Sequence, residues 1–316
     1  MTRSCLPTPR GDLSAAVCGA LTGPDASPVA GLASSPDDAA LALWLLHALH
    51  QEGFEGVDDA LEWDPGLLAL RRSLEEDLEH RLREEFATSP EGDLTDVLFV
   101  MTGNGTADEK TLARYVQTDA THEQVLELLR LRSLFHLREA DPTTWALPRL
   151  PVRAKAALAE LLYDEYGAGN PNRLHQHLFA RALRACGLDD TRGSYVDEAP
   201  LEVLVQNNAM LLFGLHRRLR GAAVGHFAAF EATSAGPARR LADGLRRLEM
   251  PEELIDYYDT HVVADAAHEQ VAVRTVCGSL VEDEPHLRDD VLLGAATCLG
   301  LEERVGEWVL TRWDVA

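Results

Sequence analysis

DTHVVADAAHE, residues 259 to 269, places His261, Asp265 and His268 at spacings of four and then three residues. An α-helix turns about 100° per residue, so these side chains fall within roughly 60° of one another on one face. Two imidazoles and a carboxylate in so narrow an arc are able to share a metal ion. The same stretch also reads as an amphipathic helix with half-buried histidines. Choosing between the two readings takes the rest of the chain.

Working outward, the 316 residues are 46% hydrophobic but only 6% aromatic, and they are rich in Ala and Leu. That composition favours helix over sheet. The formal net charge of −23 gives a field that repels phosphate backbones and anionic headgroups, which argues against nucleic acid and membrane partners. Five cysteines (Cys5, Cys18, Cys186, Cys277 and Cys298) form no CxxC pair, which suits a reducing cytoplasm and speaks against thiolate zinc. No apolar run is long enough to span a bilayer, and the N-terminus lacks a signal-peptide core, so the expected location is cytoplasmic.

Residues 1–35, rich in Pro, Gly, Ser and Ala, predict a flexible N-terminal tail, and residues 36–316 predict a single helical domain. Its N-terminal helices span residues 36–107, and their leucine-rich faces either cap the bundle or make a homodimer. The core spans residues 108–316. There a once-broken helical stretch ends at Asp141-Pro142 and carries Glu139 in its last turn, at the negative end of the helix dipole, where a cation is favoured. A solvated terminal Glu is the other reading.

Next, a Gly-Ala-Gly-Asn-Pro break at 167–171 separates Glu165 from His175. Such a break costs helix stability, so it either serves to let the two converge or is a plain turn. Residues 199–234 predict one long helix, with Glu231 on the stripe of Phe227, Val224 and Arg220. Arg217 and Arg220 on that helix are either anchors for a substrate carboxylate or surface partners for the acidic excess. A short helix before Pro251, a helix from there to about Leu280, and a pair over 284–300 and 301–313 complete an all-α bundle.

Glu139, Glu165, His175, Glu231, His261, Asp265 and His268 thus lie on four successive helical elements. So oxygen-rich a set suits iron or manganese better than one structural zinc, and two metals account for seven ligands better than one. The Glu-x-x-His pairs of ferritin-type bundles are missing.

The motifs LREADPTTWALPRL (137–150), LLYDEYGAGNPNRLHQHLF (161–179), GLHRRLRGAAVGHFAAFEATS (214–234) and YYDTHVVADAAHEQ (257–270) occur in this order. Together they resemble the haem-oxygenase-like di-iron oxidases and oxygenases, or iron-containing redox enzymes. The resemblance implies a haem-oxygenase-like bundle with extra N-terminal helices, and it matches the same seven residues to the family's ligand positions. Where some members carry a further carboxylate, this chain has Asn172.

It also implies two ferrous ions bridged by a carboxylate such as Glu231 or Glu139, O2 as co-substrate, an external reductant and no haem. The implied activity is oxidation of a small amine- or amino-acid-derived metabolite, by N-oxygenation, desaturation or C–C cleavage, in specialised biosynthesis. The rival expectation is a helical scaffold with a vestigial metal site, or a bundle that binds a cofactor through a cysteine such as Cys277 or Cys186.

Overall fold

The computed structural model describes residues 3–23, 33–103 and 111–315; the side chains of 264–267, Asp265 among them, lie outside the described set. Among the described residues every regular element is helical.

The first element corrects the expectation of a flexible tail. Asp12–Thr22 form helix α1, with Leu13, Val17 and Leu21 buried. Its N-terminus is held by the enclosed carboxylate of Asp38, which accepts from the N–H groups of Leu13 at 3.1 Å and Ser14 at 2.8 Å. An anion there meets both the free N–H groups and the positive end of the helix dipole. Ahead of α1, Arg10 donates to Asp37 and to the Val196 carbonyl, each at 2.8 Å. The sequence pattern hid this element because its stripe is diluted by Ala, Ser and Gly and its cap comes from the following helix.

Helix α2 (Pro36–Gln51) opens on Ser35, whose hydroxyl accepts from the Asp38 N–H. It is buried along almost its whole length, and α3 (Pro65–Phe86) turns Leu67, Leu78 and Leu82 inward. The leucines of α2 and three of those of α3 are therefore covered within the chain. Helices α4 (Leu94–Gly103), α5 (Leu112–Thr118) and α6 (His122–His136) follow, then the one-turn α7 (Asp141–Thr144), α8 (Val152–Glu165) and α9 (His175–Ala185).

The predicted long helix over 199–234 is two helices, α10 (Leu201–Leu215) and α11 (Arg220–Arg247). Arg149 explains the stop: its Nη1 donates to the carbonyls of Gly214 at 2.8 Å and Leu215 at 2.7 Å, satisfying the end of α10. Conversely α11 runs straight through Pro237 into the stretch read as a separate short helix. Ala238, Ala242 and Leu245 continue the buried stripe beyond the proline, and that burial offsets the one lost hydrogen bond.

Helix α12 (Glu252–Gln270) passes through a π-helical turn, Val271–Gly278, into α13 (Ser279–Asp283). The predicted final pair is one helix, α14 (Arg288–Arg312), because Gly300 makes room for a ring rather than a break: a Cβ there would lie 2.2 Å from the Phe86 ring. Helices α11 and α14 cross with their backbones in contact. A Cβ on Gly225 would come within 2.0 Å of the Val291 carbonyl oxygen, and one on Gly294 within 2.0 Å of the Ala222 carbonyl oxygen. This crossing fixes the middle of α11, the segment that carries Glu231, against the bundle.

Candidate metal centre

Each candidate ligand occupies a position set by its element. Glu139 stands in the turn after α6 with φ of 24°, a left-handed backbone that a non-glycine residue adopts at a cost of about 1 kcal/mol or more. Glu165 is the last residue of α8 and His175 the first of α9. The break between them folds back tightly: Gly167, at φ 72°, packs on the backbone of Arg173 and Leu174, where a Cβ would approach to 2.6 Å. This brings the His175 Nδ1 and the Glu165 Oε2 to 3.0 Å. Glu231 projects from mid-α11, and His261 and His268 from α12.

Six of the seven residues expected to bind metal come together, all buried, as two groups: Glu139 with His175 and His261, and Glu165 with Glu231 and His268. Within each group the ligand atoms lie within 4.8 Å of one another. The seventh, Asp265, lies outside the described residues. Glu165 reaches both groups, with Oε2 beside His175 and Oε1 3.6 Å from the Nδ1 of His268. Glu165 thus stands beside a histidine of each group.

Hydrogen bonding shows why these groups suit a cation. The Nδ1 of His261 lies 2.9 Å from the carbonyl oxygen of Tyr257 and so carries the proton, leaving Nε2 as a lone pair 3.0 Å from the Glu139 Oε1. Two acceptors face each other there unless a proton or a metal ion stands between them. The Glu139 Oε2, Glu165 Oε1 and His175 Nδ1 are buried without hydrogen bonds, and each such atom costs about 1–3 kcal/mol unless a cation takes it up. The His175–Glu165 contact is thus short in distance but lacks hydrogen-bond geometry. Carboxylate oxygens and imidazole nitrogens in this mixture fit iron.

The charges are displaced from their ordinary values. Burial works to raise the Glu139 carboxyl, yet the neighbouring His261 and His136 hold it well below the usual range. Burial pushes Glu231 up to about 7, and the charge of Glu165 adds to this while His268 opposes it. Burial disfavours a charge on His268, but its bonds to Glu231 and Asp164 push it up to about 9. In the metal-free protein Glu231 and His268 therefore hold a proton that a metal would replace.

Residues not singled out in the sequence surround the ligands. The Tyr257 hydroxyl donates to the Glu139 Oε1 at 2.9 Å, and His136 lies 2.8 Å from that hydroxyl. Asp164 accepts from the Nε2 of His268 at 2.9 Å, turning the Nδ1 toward Glu231 at 3.0 Å. Helical spacing carried the signal: Tyr257 is four residues before His261, and His136 three before Glu139. Asp164 is the neighbour of Glu165.

Beside the ligands lies a small cavity that opens on one side. Glu139, Glu165, Glu231 and His261 form one wall, and Phe135, Phe227, Phe230 and Met210 supply much of the rest. Arg217 and Arg220 are not among its lining: Arg217 is exposed and Arg220 pairs with Glu284. Of the two readings of these arginines, the structure supports the acidic partner for Arg220. Cys277 is buried in the core with its thiol pushed up to about 12, and burial puts Cys186 at about 11; neither lines the cavity.

Among the described residues no helix is long and apolar enough to cross a membrane. A comparison with curated proteins gave no match. A family model described as iron-containing redox enzyme matches residues 126–303, more than half of the chain, a span that takes in all of the candidate ligands. The all-α bundle is accordingly haem-oxygenase-like, and the chain belongs to the iron-containing redox enzymes, an iron-dependent oxidoreductase family.

Proposed function

We propose that the chain is a non-haem di-iron oxidase or oxygenase that uses O2 to oxidise a small amine- or amino-acid-derived metabolite in specialised biosynthesis. The observation that carries this reading is the pair of three-residue groups joined through Glu165. Glu139, His175 and His261 would hold one iron; Glu165, Glu231 and His268 the other, with Asp265 as the further ligand. Bound iron supplies the electrons that reduce O2, and an external reductant restores them.

The protein's part is positioning. Tyr257 and His136 hold Glu139, and Asp164 holds the ring of His268, so one ligand of each group is oriented before metal arrives. Phe135, Phe227 and Phe230 keep water from the reacting side of the cavity. Three buried carboxylates on its wall oppose an anionic porphyrin by like charge, which supports the non-haem reading. With no arginine or lysine among the described residues of the lining, the cavity favours the amine over the carboxylate as the recognised end of the metabolite.

Anaerobic ferrous loading followed by metal analysis tests the proposal. Two irons per chain, falling to one or none in Glu165→Ala, with O2 uptake that depends on the iron, is the expected result. A single iron per chain, or two irons without O2 uptake, would overturn it. Iron binding unaccompanied by any O2 reaction would favour the scaffold reading.

A further inference from the structure

Besides the candidate ligands, the lining of the cavity contains two polar side chains, His226 and Thr143. His226 is 8% exposed and Thr143 is 7% exposed, and both line the cavity. Neither side chain has a hydrogen-bond partner among the described residues. His226 has only an edge contact with the ring of Phe213, at 6.3 Å between centroids. A polar side chain that lines a largely apolar cavity without a protein partner is placed to hydrogen-bond a bound molecule. The remaining surface is apolar, with Phe135, Phe227, Phe230 and Met210 offering ring faces and a thioether.

We propose that His226, assisted by Thr143, is the specificity-determining residue of this cavity and binds an uncharged hydroxyl, amine or amide group on an otherwise apolar substrate. The inference rests on reading the cavity as the substrate chamber of the iron site. Burial lowers the His226 pKa to about 4, so near neutrality the ring offers one N–H donor and one acceptor nitrogen. A carboxylate meets no arginine or lysine among the described residues of the lining, and the partly buried Arg132 is committed to Glu302 at 2.7 Å. His226 precedes Glu231 by five residues on α11, about 7.5 Å along the helix axis. Both residues line the same cavity, so a molecule held at His226 lies beside the carboxylates.

Three probes of one shape test this: hydrocinnamyl alcohol, n-propylbenzene and hydrocinnamate, titrated calorimetrically into the iron-loaded protein without oxygen and into the metal-free protein. The alcohol is expected to bind about tenfold tighter than the hydrocarbon, the value of one net hydrogen bond. In the metal-free protein, where the acid has no metal to ligate, hydrocinnamate is expected to bind most weakly. His226→Phe should abolish the alcohol's advantage without weakening the hydrocarbon, and His226→Gln should retain part of it.

Equal binding of alcohol and hydrocarbon, an advantage that survives His226→Phe, or no binding of any probe would overturn the proposal. Iron content and melting temperature measured on the same variants report on fold and metal site. Absence of probe discrimination in the wild-type protein with two irons bound counts against the role of His226 alone. Discrimination in a protein that binds no iron counts against the di-iron reading alone.

Discussion

At the residue scale, the candidate ligands differ from their supports in how the sequence displays them. His261 and His268 stand out by spacing on one helix face, and Glu139, Glu165, His175 and Glu231 by their places at helix ends and on an inward stripe. What the sequence could not show is which atoms turn toward which, because this depends on contacts between segments about 100 residues apart, such as the His268 Nε2 to Asp164. Asp164 is half-exposed, so its removal should spare the fold while freeing the His268 ring. Asp164→Ala is expected to weaken iron binding about 10–100-fold with little change in the metal-free melting temperature, read by competition with a calibrated chelator. Unchanged affinity would remove Asp164 from the site. Tyr257→Phe takes a buried donor from Glu139, and a loss of about 1–3 kcal/mol in the urea unfolding free energy of the metal-free protein is expected.

At the element scale, periodicity revealed most helices but not where neighbours end or extend them. Helix α10 stops because Arg149, from another segment, satisfies its last carbonyls, and nothing local to Gly214 or Leu215 announces this. Helix α11 continues through Pro237 because residues on both sides of it are buried. Local propensity loses to tertiary contact in both places. Glycines carry a similar ambiguity. Gly225 makes the α11–α14 crossing possible, whereas Gly19 in α1 has open space around its Cβ position. Gly225→Ala is therefore expected to destabilise the protein by about 1–3 kcal/mol or more, since the clash is with backbone. Gly19→Ala should stabilise it by about 0.5–1 kcal/mol through helix propensity. Denaturant midpoints for the two variants moving in the same direction would refute this account of the crossing.

At the scale of the whole molecule, the N-terminal segment and the bundle are joined through buried carboxylates. Asp38 gathers the N–H groups of Leu13, Ser14 and Ser34 together with the Ser34 hydroxyl at 2.9 Å. Glu75 of α3 ties His47 of α2 at 3.1 Å to His216, at the end of α10, at 2.8 Å. Burial alone would raise both carboxyls, but the hydrogen bonds around Asp38 and the histidines around Glu75 hold them below their ordinary range. A carboxyl with a depressed native pKa binds protons more readily in the unfolded chain. Its stabilisation is therefore complete above the unfolded value, about 4, and fades as the pH falls below it. Acid should accordingly loosen the attachment of α1 to α3 while the α11–α14 crossing, built of apolar and glycine contacts, is unaffected by protonation. Asp38→Asn keeps the shape but removes the charge that α1 receives at its N-terminus, and a loss of about 1–3 kcal/mol is expected at pH 7. That loss should shrink steadily as the pH is lowered from about 4 toward 2, because the unfolded wild-type chain then takes up a proton that the native carboxyl resists. Urea unfolding of both proteins across this range measures it, and a difference that stays constant with pH would show that the Asp38 charge does not hold α1 in place.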